Sequence, residues 1–241
     1  MKTFIKENKK IISAAILSLG LISSGAILGK NIYKSQFYRT VRVKGLSEKI
    51  VNADLAIWEI NVEEIGNNII DQQSKVENNI KIIRDYLTTN GIKSEDIKNQ
   101  RIKIEDKESN YYSGENPIKN RYIISGGIIV KSNDVNLIDK ISRKNGELIK
   151  KGIKIKTYEG PKYIFTKLND IKVNMIEEAT KNAKKSAEEF AKNTDDKIGG
   201  IKTANQGVFS IKGTNDENEW EVQYEIEKKV RVVSTITYWL K

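Results

Sequence analysis

The 241-residue sequence has no cysteine and no histidine. The first absence excludes disulfides and thiol nucleophiles. The second excludes histidine triads and histidine acid–base chemistry, and together they exclude every zinc site built from those ligands. An enzyme made from this chain would have to work with carboxylates, lysine, tyrosine, serine and backbone dipoles. Proline is scarce as well, with two residues, while 38% of the chain is hydrophobic and 31% charged. That composition belongs to a folding protein and to neither a disordered tail nor a multi-span membrane protein. Arginine is short too: 7 of the 42 basic residues are Arg, and 35 are Lys. Lys, Ile and Asn enriched together follow from AT-biased codon usage. A nucleic-acid binder favours Arg for bidentate contacts, so the net charge of +10 reads as a solvated basic surface and no nucleic-acid partner is expected.

Part of that charge is local. Lys2, Lys6, Lys9 and Lys10 stand against Glu7 in residues 1–10, and Ile11 to Gly29 then run without a charge until Lys30. A helix of that length spans about 28 Å, close to a bilayer's hydrocarbon thickness. Ile11, Leu17, Leu21 and Leu28 mark this segment. One reading is a signal anchor, with residues 1–10 a cytoplasmic basic tail, 30–39 a polar tether and everything beyond exported. A cleaved signal peptide is the second, with Ser24-Gly25-Ala26 as the small-residue site, although Ile27 and Leu28 continue the apolar run past it. A soluble buried helix is the third, and it lacks a polar stripe at helical spacing.

From residue 40 to 241 the pattern alternates between strand and helix periods. Val41 and Val43 mark a strand expected to turn at Gly45. The next strand, Ala53 to Val62, changes register near Ile57-Trp58, which predicts a bulge or burial on both faces. Ile69, Val76, Ile80, Ile83 and Leu87 form one helical stripe over 68–89, stopped by Asn90-Gly91. Strands follow at 100–106 and 121–131, separated by an exposed loop at 109–120. The second is so continuously apolar that it should be central, with Gly126-Gly127 a bend or a close approach. A second helix is expected over 134–151, with Val135, Ile138, Ile141, Leu148 and Ile149 inward, weakened at Asn145-Gly146 and ended by Gly152. Short strands at 153–158 and 162–167 flank Gly160-Pro161. A third helix to Asn193 turns Ile176, Ala179, Ala183, Ala187 and Phe190 inward and pairs Glu177 with Lys181 and Glu188 with Lys192. Strands at 201–211, 220–228 and 229–240 close the chain. These elements make an α+β protein, antiparallel β-sheet units with three main helices packed on them, preceded by one hydrophobic helix.

Lys44-Gly45-Leu46-Ser47-Glu48 followed by Ala53-Asp54-Leu55-Ala56-Ile57-Trp58 resembles the opening of the SIMPL-domain family of bacterial envelope proteins. Tyr163-Ile164-Phe165-Thr166-Lys167-Leu168 leading into Met175-Ile176-Glu177-Glu178-Ala179-Thr180 is similar to its second signature. Asn182-Ala183, Ala187 to Ala191, Gln206-Gly207-Val208-Phe209 and Lys228-Lys229-Val230-Arg231-Val232 follow in family order. The resemblance implies export to the periplasm or outer envelope, with relatives that include immunogenic antigens, proteins associated with oxidative or membrane stress, and a hollow, channel-like homo-oligomer. It implies no enzymatic activity and carries over no catalytic residue.

Other residues carry candidate chemistry. Asp54, Glu59, Glu63 and Glu64 lie along one strand, where paired acids do acid–base work or bind a hard cation; alternation separates Glu64 from Glu59 and Glu63, and edge charges are the plainer reading. Asp195-Asp196 lacks calcium-loop spacing, Lys150-Lys151 and Lys184-Lys185 are candidate anion contacts, and Ser47 near Lys49 is a sparse nucleophilic pair. Neither glycine pair has phosphate-loop spacing, so no cofactor and no metal are expected. Trp58, Tyr163, Trp220, Tyr238 and Trp239 are candidate interface anchors. The resulting expectation is a non-enzymatic, exported envelope protein, tethered through residues 11–29 and self-associating as a homo-oligomer through strand edges or its Ala-rich helix. The alternative is a tethered module that binds a partner protein or an anionic envelope polymer.

Overall fold

The computed structural model describes residues 9–37, 39–109, 119–156, 159–214 and 221–241. Among them are five α-helices and nine strands, the expected α+β arrangement with antiparallel pairing. Helix α1 (Lys9–Phe37) contains one stretch, Ile11–Lys30, long and apolar enough to cross a membrane, and none of it is buried. The polar tether expected from residue 30 is helical as far as Phe37, because nothing after Gly29 breaks a helix whose propagation needs only one hydrogen bond per added residue. The basic tail before Lys9, most of the 109–120 loop and Trp220 lie outside the described residues.

The domain divides into two compact units. The larger comprises Ser47–Met175 and Val208–Val232. Its sheet has the order β3 (Ile97–Asn99), β5 (Tyr122–Ser132), β2 (Leu55–Gly66), β6 (Lys162–Ile164), with β4 (Lys103–Asp106) also on β5. The apolar run at 122–130 is therefore central, as its composition predicts. β2 and β5 pair without interruption from Ala56↔Ser132 to Gly66↔Tyr122. The expected bulge at Ile57-Trp58 is absent: Ala56, Trp58, Ile60 and Val62 are buried in one alternating row, and Leu55 and Ile57 are half-buried on the other side.

Helix α2 (Ile69–Thr89) lays Val76, Ile80, Ile83 and Leu87 on that row. The Asn68 side chain caps it, accepting from the N–H groups of Ile70 and Asp71. Gly91, at φ +97°, ends it, letting Ile92 N–H reach back to Leu87 O in the reversal that glycine permits. Gly126 faces this helix, and a Cβ there would come within 3.0 Å of Val76, so the glycine pair marks a close approach. The second predicted helix is two pieces, α3 (Val135–Ser142), capped by Asp134, and α4 (Gly146–Lys150). Leu148 is buried, but Ile149 is exposed, because the break at 143–145 resets the helical phase.

The smaller unit comprises the chain up to Leu46 with Ile176–Gly207 and Val233–Lys241. Its core is Val43, Ala183, Ala187, Ile236 and Tyr238. A four-stranded sheet runs β1 (Thr40–Asn52), β9 (Glu227–Leu240), β7 (Ile198–Gln206), with β8 (Ser210–Gly213) also on β9; β7 lies wholly in this unit, while β8 and residues 47–52 and 227–232 belong to the larger one. β1 passes straight through Gly45, where a turn was expected. The glycine is there because a Cβ would lie 1.9 Å from Ala179 O and 2.3 Å from Ala183 N. Helix α5 (Leu168–Lys192) buries Met175, Ala179, Ala183, Ala187 and Ala191. Phe190, expected inward, is 60% exposed, and Ile176 is half-buried; the buried stripe steps by four residues, which leaves Phe190 outside it. Glu177 meets Lys181 at 2.6 Å as expected, while Glu188 faces Lys184 at 3.7 Å. Of the late strands, 201–211 separates into β7 and β8, and a 3-10 turn at Glu221–Tyr224 replaces the start of the strand placed at 220–228. Of the strand placed at 153–158, the described residues 153–156 form one bridge, Val62↔Ile155, and 157–158 lie outside the described residues.

Candidate functional site

The short edge strand β6 gathers most of the chemistry in the larger unit. It pairs with the beginning of β2, Tyr163 opposite Ala56. Beyond it the chain turns at Thr166, held by Asp54: the carboxylate accepts the Thr166 N–H at 2.6 Å and its hydroxyl at 2.7 Å, with Lys167 at 4.0 Å. Burial raises the Asp54 pKa, but the Thr166 hydrogen bonds outweigh it and hold the carboxyl below its ordinary value. Asp54 also donates its N–H to Ile164 O, and its own carbonyl accepts from the Asn133 side chain. The acid is a structural clasp fixing β6 and the entry to α5.

Two cavities open beside this strand. The first, about 630 Å³, is lined by Tyr163, Ile164, Phe165, Ile211, Val222, Gln223 and Lys228. Lys228 is 2% exposed and donates to Val222 O. Burial pulls its pKa below the usual lysine value, with nearby Glu225 opposing that fall. The second cavity, about 520 Å³, includes Trp58, Asp139, Arg143, Glu159, Tyr163 and Tyr224. The Tyr163 hydroxyl donates to Asp139 at 3.0 Å; burial and that bond raise the phenol's pKa. Hydrogen bonding from Arg143, 2.8 Å away, holds Asp139 low against the effect of burial.

The motif positions converge on contacts that close the fold. Gly45 lies against Ala179 and Ala183, and Leu46 O accepts from Asn182. Gly207 N–H donates to Val233 O beside Gln206, which pairs with Ser234. Phe209 lies under Lys172 Nζ at 6.0 Å, and Lys44 is exposed. Trp58, Tyr163 and Tyr238, expected as interface anchors, are each 4% exposed and belong to the cores of their own units. Trp239 is half-buried with Lys202 Nζ 4.4 Å from its ring centroid.

The acids of β2 go separate ways. Glu63 pairs with Lys156, and Glu64 accepts from Asn79 on α2. Glu59 shares a hollow of about 140 Å³ with Glu159 and Lys162, smaller than the ~300 Å³ at which ligand pockets begin. Among the described residues no group of three acids is placed to hold a metal ion. Asp196 pairs with Arg39 at 2.8 Å in the turn after α5. Ser47 is buried within β1 while Lys49 is exposed. Lys150 and Lys151 are exposed at the end of α4.

The motif position Lys228 is a buried charge. The signal was present: it falls in register with Val230, Val232, Ser234, Ile236 and Tyr238, the buried row of β9. The 3-10 turn that brings Val222 to it has no comparable sequence signature.

These features define an α+β domain whose motif residues fasten strands and helices to one another. A family model matches residues 41–238, that of SIMPL, described as a protein of unknown function (DUF541). The chain belongs to the SIMPL family. No curated protein matches the chain.

Proposed function

We propose that this chain is a non-enzymatic protein of the cell envelope, tethered to the membrane through α1 and self-associating through its smaller unit. The observation that carries the reading is the outer strand of that unit. β7 is hydrogen-bonded to β9 along one side only among the described strands, and from Gly200 to Gln206 every residue is exposed, Ile201 at 55%. An edge with unpaired backbone groups and an exposed Ile is a template for pairing with another strand. Phe190 adds a second exposed apolar side chain. The tether follows from Ile11–Lys30, whose apolar surface is wholly exposed and is satisfied by lipid. The family resemblance supports export, a structural or stress-related role and a channel- or shell-like assembly. Several tethers on one assembly would hold a membrane patch by avidity.

Light scattering of residues 31–241 over a dilution series tests self-association. Omitting residues 1–30 takes away no core contact among the described residues, since Ile11–Lys30 buries nothing. A discrete oligomer that persists on dilution is expected, and a monomer at every concentration overturns assembly by this part of the chain.

A second reading, a tethered module for an anionic envelope polymer, is favoured by one feature. Arg101, Lys103 and Lys156 line a hollow of about 230 Å³ with Asn61, Gln100 and Ser125. Salt-sensitive retention of the monomer on an anionic polymer, lost in Arg101→Ala/Lys103→Ala, would select this reading.

A further inference from the structure

The dipeptide Asn-Gly occurs twice in the chain, at Asn90-Gly91 and at Asn145-Gly146. Glycine has no side chain to shield its backbone nitrogen or to restrict its backbone, so the preceding carboxamide is open to attack by that nitrogen. The structure holds the two pairs differently. At the end of α2 the Asn90 carboxamide donates to Tyr86 O at 2.8 Å, and Gly91 N–H donates to Thr88 O at 3.0 Å. Both reacting groups are occupied there. Between α3 and α4, Lys144, Asn145, Glu147 and Leu148 each donate a backbone N–H to the carbonyl three residues back. Among the described residues Gly146, in the middle of that run, makes no such bond. The Asn145 side chain makes no cap bond to α4 either. Asn145 is half-buried and Gly146 exposed. With five residues, α4 is little more than one turn, the kind of element that opens most readily.

We propose that Asn145 is a site of spontaneous modification to aspartate and isoaspartate, and that Asn90 is spared. Gly146 N gives its proton to a base in the solvent and attacks Asn145 Cγ. The N–Cγ bond forms, the Cγ–Nδ2 bond breaks, and the amide nitrogen picks up a proton and leaves as ammonia, closing a succinimide ring. Water then opens the ring. Cleavage of the N–Cγ bond gives aspartate, while cleavage between the nitrogen and the main-chain carbonyl carbon gives isoaspartate, with the chain running on through Cγ. Either route exchanges NH for O and oxidises nothing. Ring closure needs Asn145 rotated away from its helical ψ of −22°, so the opening of α4 sets the rate. The product puts a carboxylate in the wall of the 520 Å³ cavity that Asp139 and Arg143 also line. Isoaspartate also lengthens the main chain by one methylene ahead of the buried Leu148.

The test is to incubate the full chain in non-ionic detergent at mildly alkaline pH and to follow both peptides by mass spectrometry in the same sample. The Asn145 peptide should exchange NH for O roughly tenfold or more faster than the Asn90 peptide, the scale of two net hydrogen bonds. An isoaspartyl methyltransferase should label the Asn145 product. In denaturant the two peptides should convert at similar rates, because the dipeptide is the same and only the fold distinguished them. Gly146→Ala fits the structure, since nothing lies within 4 Å of the added Cβ and alanine favours a helix. It should slow conversion at residue 145 several-fold and leave Asn90 as it was. Conversion of Asn90 as fast as Asn145 in the folded chain would overturn the assignment. So would an intact Asn145 after a period in which the denatured chain converts, or an unchanged rate in Gly146→Ala. The outcome is independent of self-association through the smaller unit, because residues 139–148 lie in the larger one.

Discussion

Helix α2 meets its sheet through Val76, Ile80, Ile83 and Leu87, whereas α5 presents Ala179, Ala183, Ala187 and Ala191. The larger unit fills the space between its layers with branched side chains, Ile60, Ile124, Ile128 and Ile138 among them, all at most 1% exposed. In the smaller unit there is almost no space to fill, since Gly45 leaves the strand backbone against the helix backbone. The first kind of layer gains from buried apolar area, about 1.5–3 kcal/mol per large side chain. The second gains from close contact between backbones and small groups. Volume lost from the first opens a cavity that neighbours partly refill, while volume added to the second meets backbone that cannot move aside.

That contrast can be broken most sharply at Gly45. Gly45→Val should cost about 4 kcal/mol or more, beyond ordinary overpacking, and denaturant unfolding followed by circular dichroism measures it. The matching change in the other unit, Ile128→Ala, should cost roughly 3 kcal/mol. If the two effects came out in reverse order, closeness would not be what holds α5. Asp54→Ala removes two charge-assisted bonds to Thr166 and should cost about 2 kcal/mol. Because the folded Asp54 pKa lies below its ordinary value, its stabilisation is complete above the unfolded pKa and is lost as pH falls through the folded one. An acid-titration series should therefore show a shallower loss in Asp54→Ala. Lys228→Met should leave stability unchanged or raise it by about 1 kcal/mol at neutral pH, as replacing buried charge with apolar volume often does. The folded Lys228 pKa is depressed, so its cost is full below that pKa and vanishes as pH rises through the unfolded value. The variant's advantage should shrink towards alkaline pH in thermal melts. Phe190→Ser should change unfolding by less than about 0.5 kcal/mol; a larger loss would mean that the outer face of α5 is buried in the form being melted.

The sequence revealed best what is local. Asn68 and Asp134 mark their helix starts because capping needs only the next three residues. The central position of β5 follows from its own unbroken apolar run. Gly45 was misread because a glycine inside a strand looks like a turn until its partner, more than 130 residues away in α5, is known. Phe190 was placed inward on hydrophobicity, although the alanines already define a complete stripe stepping by four. Three of the aromatic candidates are buried for a related reason: Trp58, Tyr163 and Tyr238 have the chemistry of interface anchors, and only tertiary packing decides which aromatic rings stay outside. Lys228 was legible from the parity of β9, yet its cavity was not, since Ile211 reaches it through strand pairing with Val230 and Val222 through a 3-10 turn without a sequence signature.

The Leu240 N–H bonds to Arg39 O, and Lys197 exchanges two backbone bonds with Lys241. The chain arriving from α1 thus enters the sheet beside the point where residues 240–241 leave it. A pair of distance probes at residues 39 and 241 should therefore hold a constant short separation as long as this part of the sheet is formed. A probe fused after Lys241 would report from the entry point of the tether. A pulling force applied across residues 39 and 241 would peel β1 from β9 one hydrogen bond at a time instead of shearing them together.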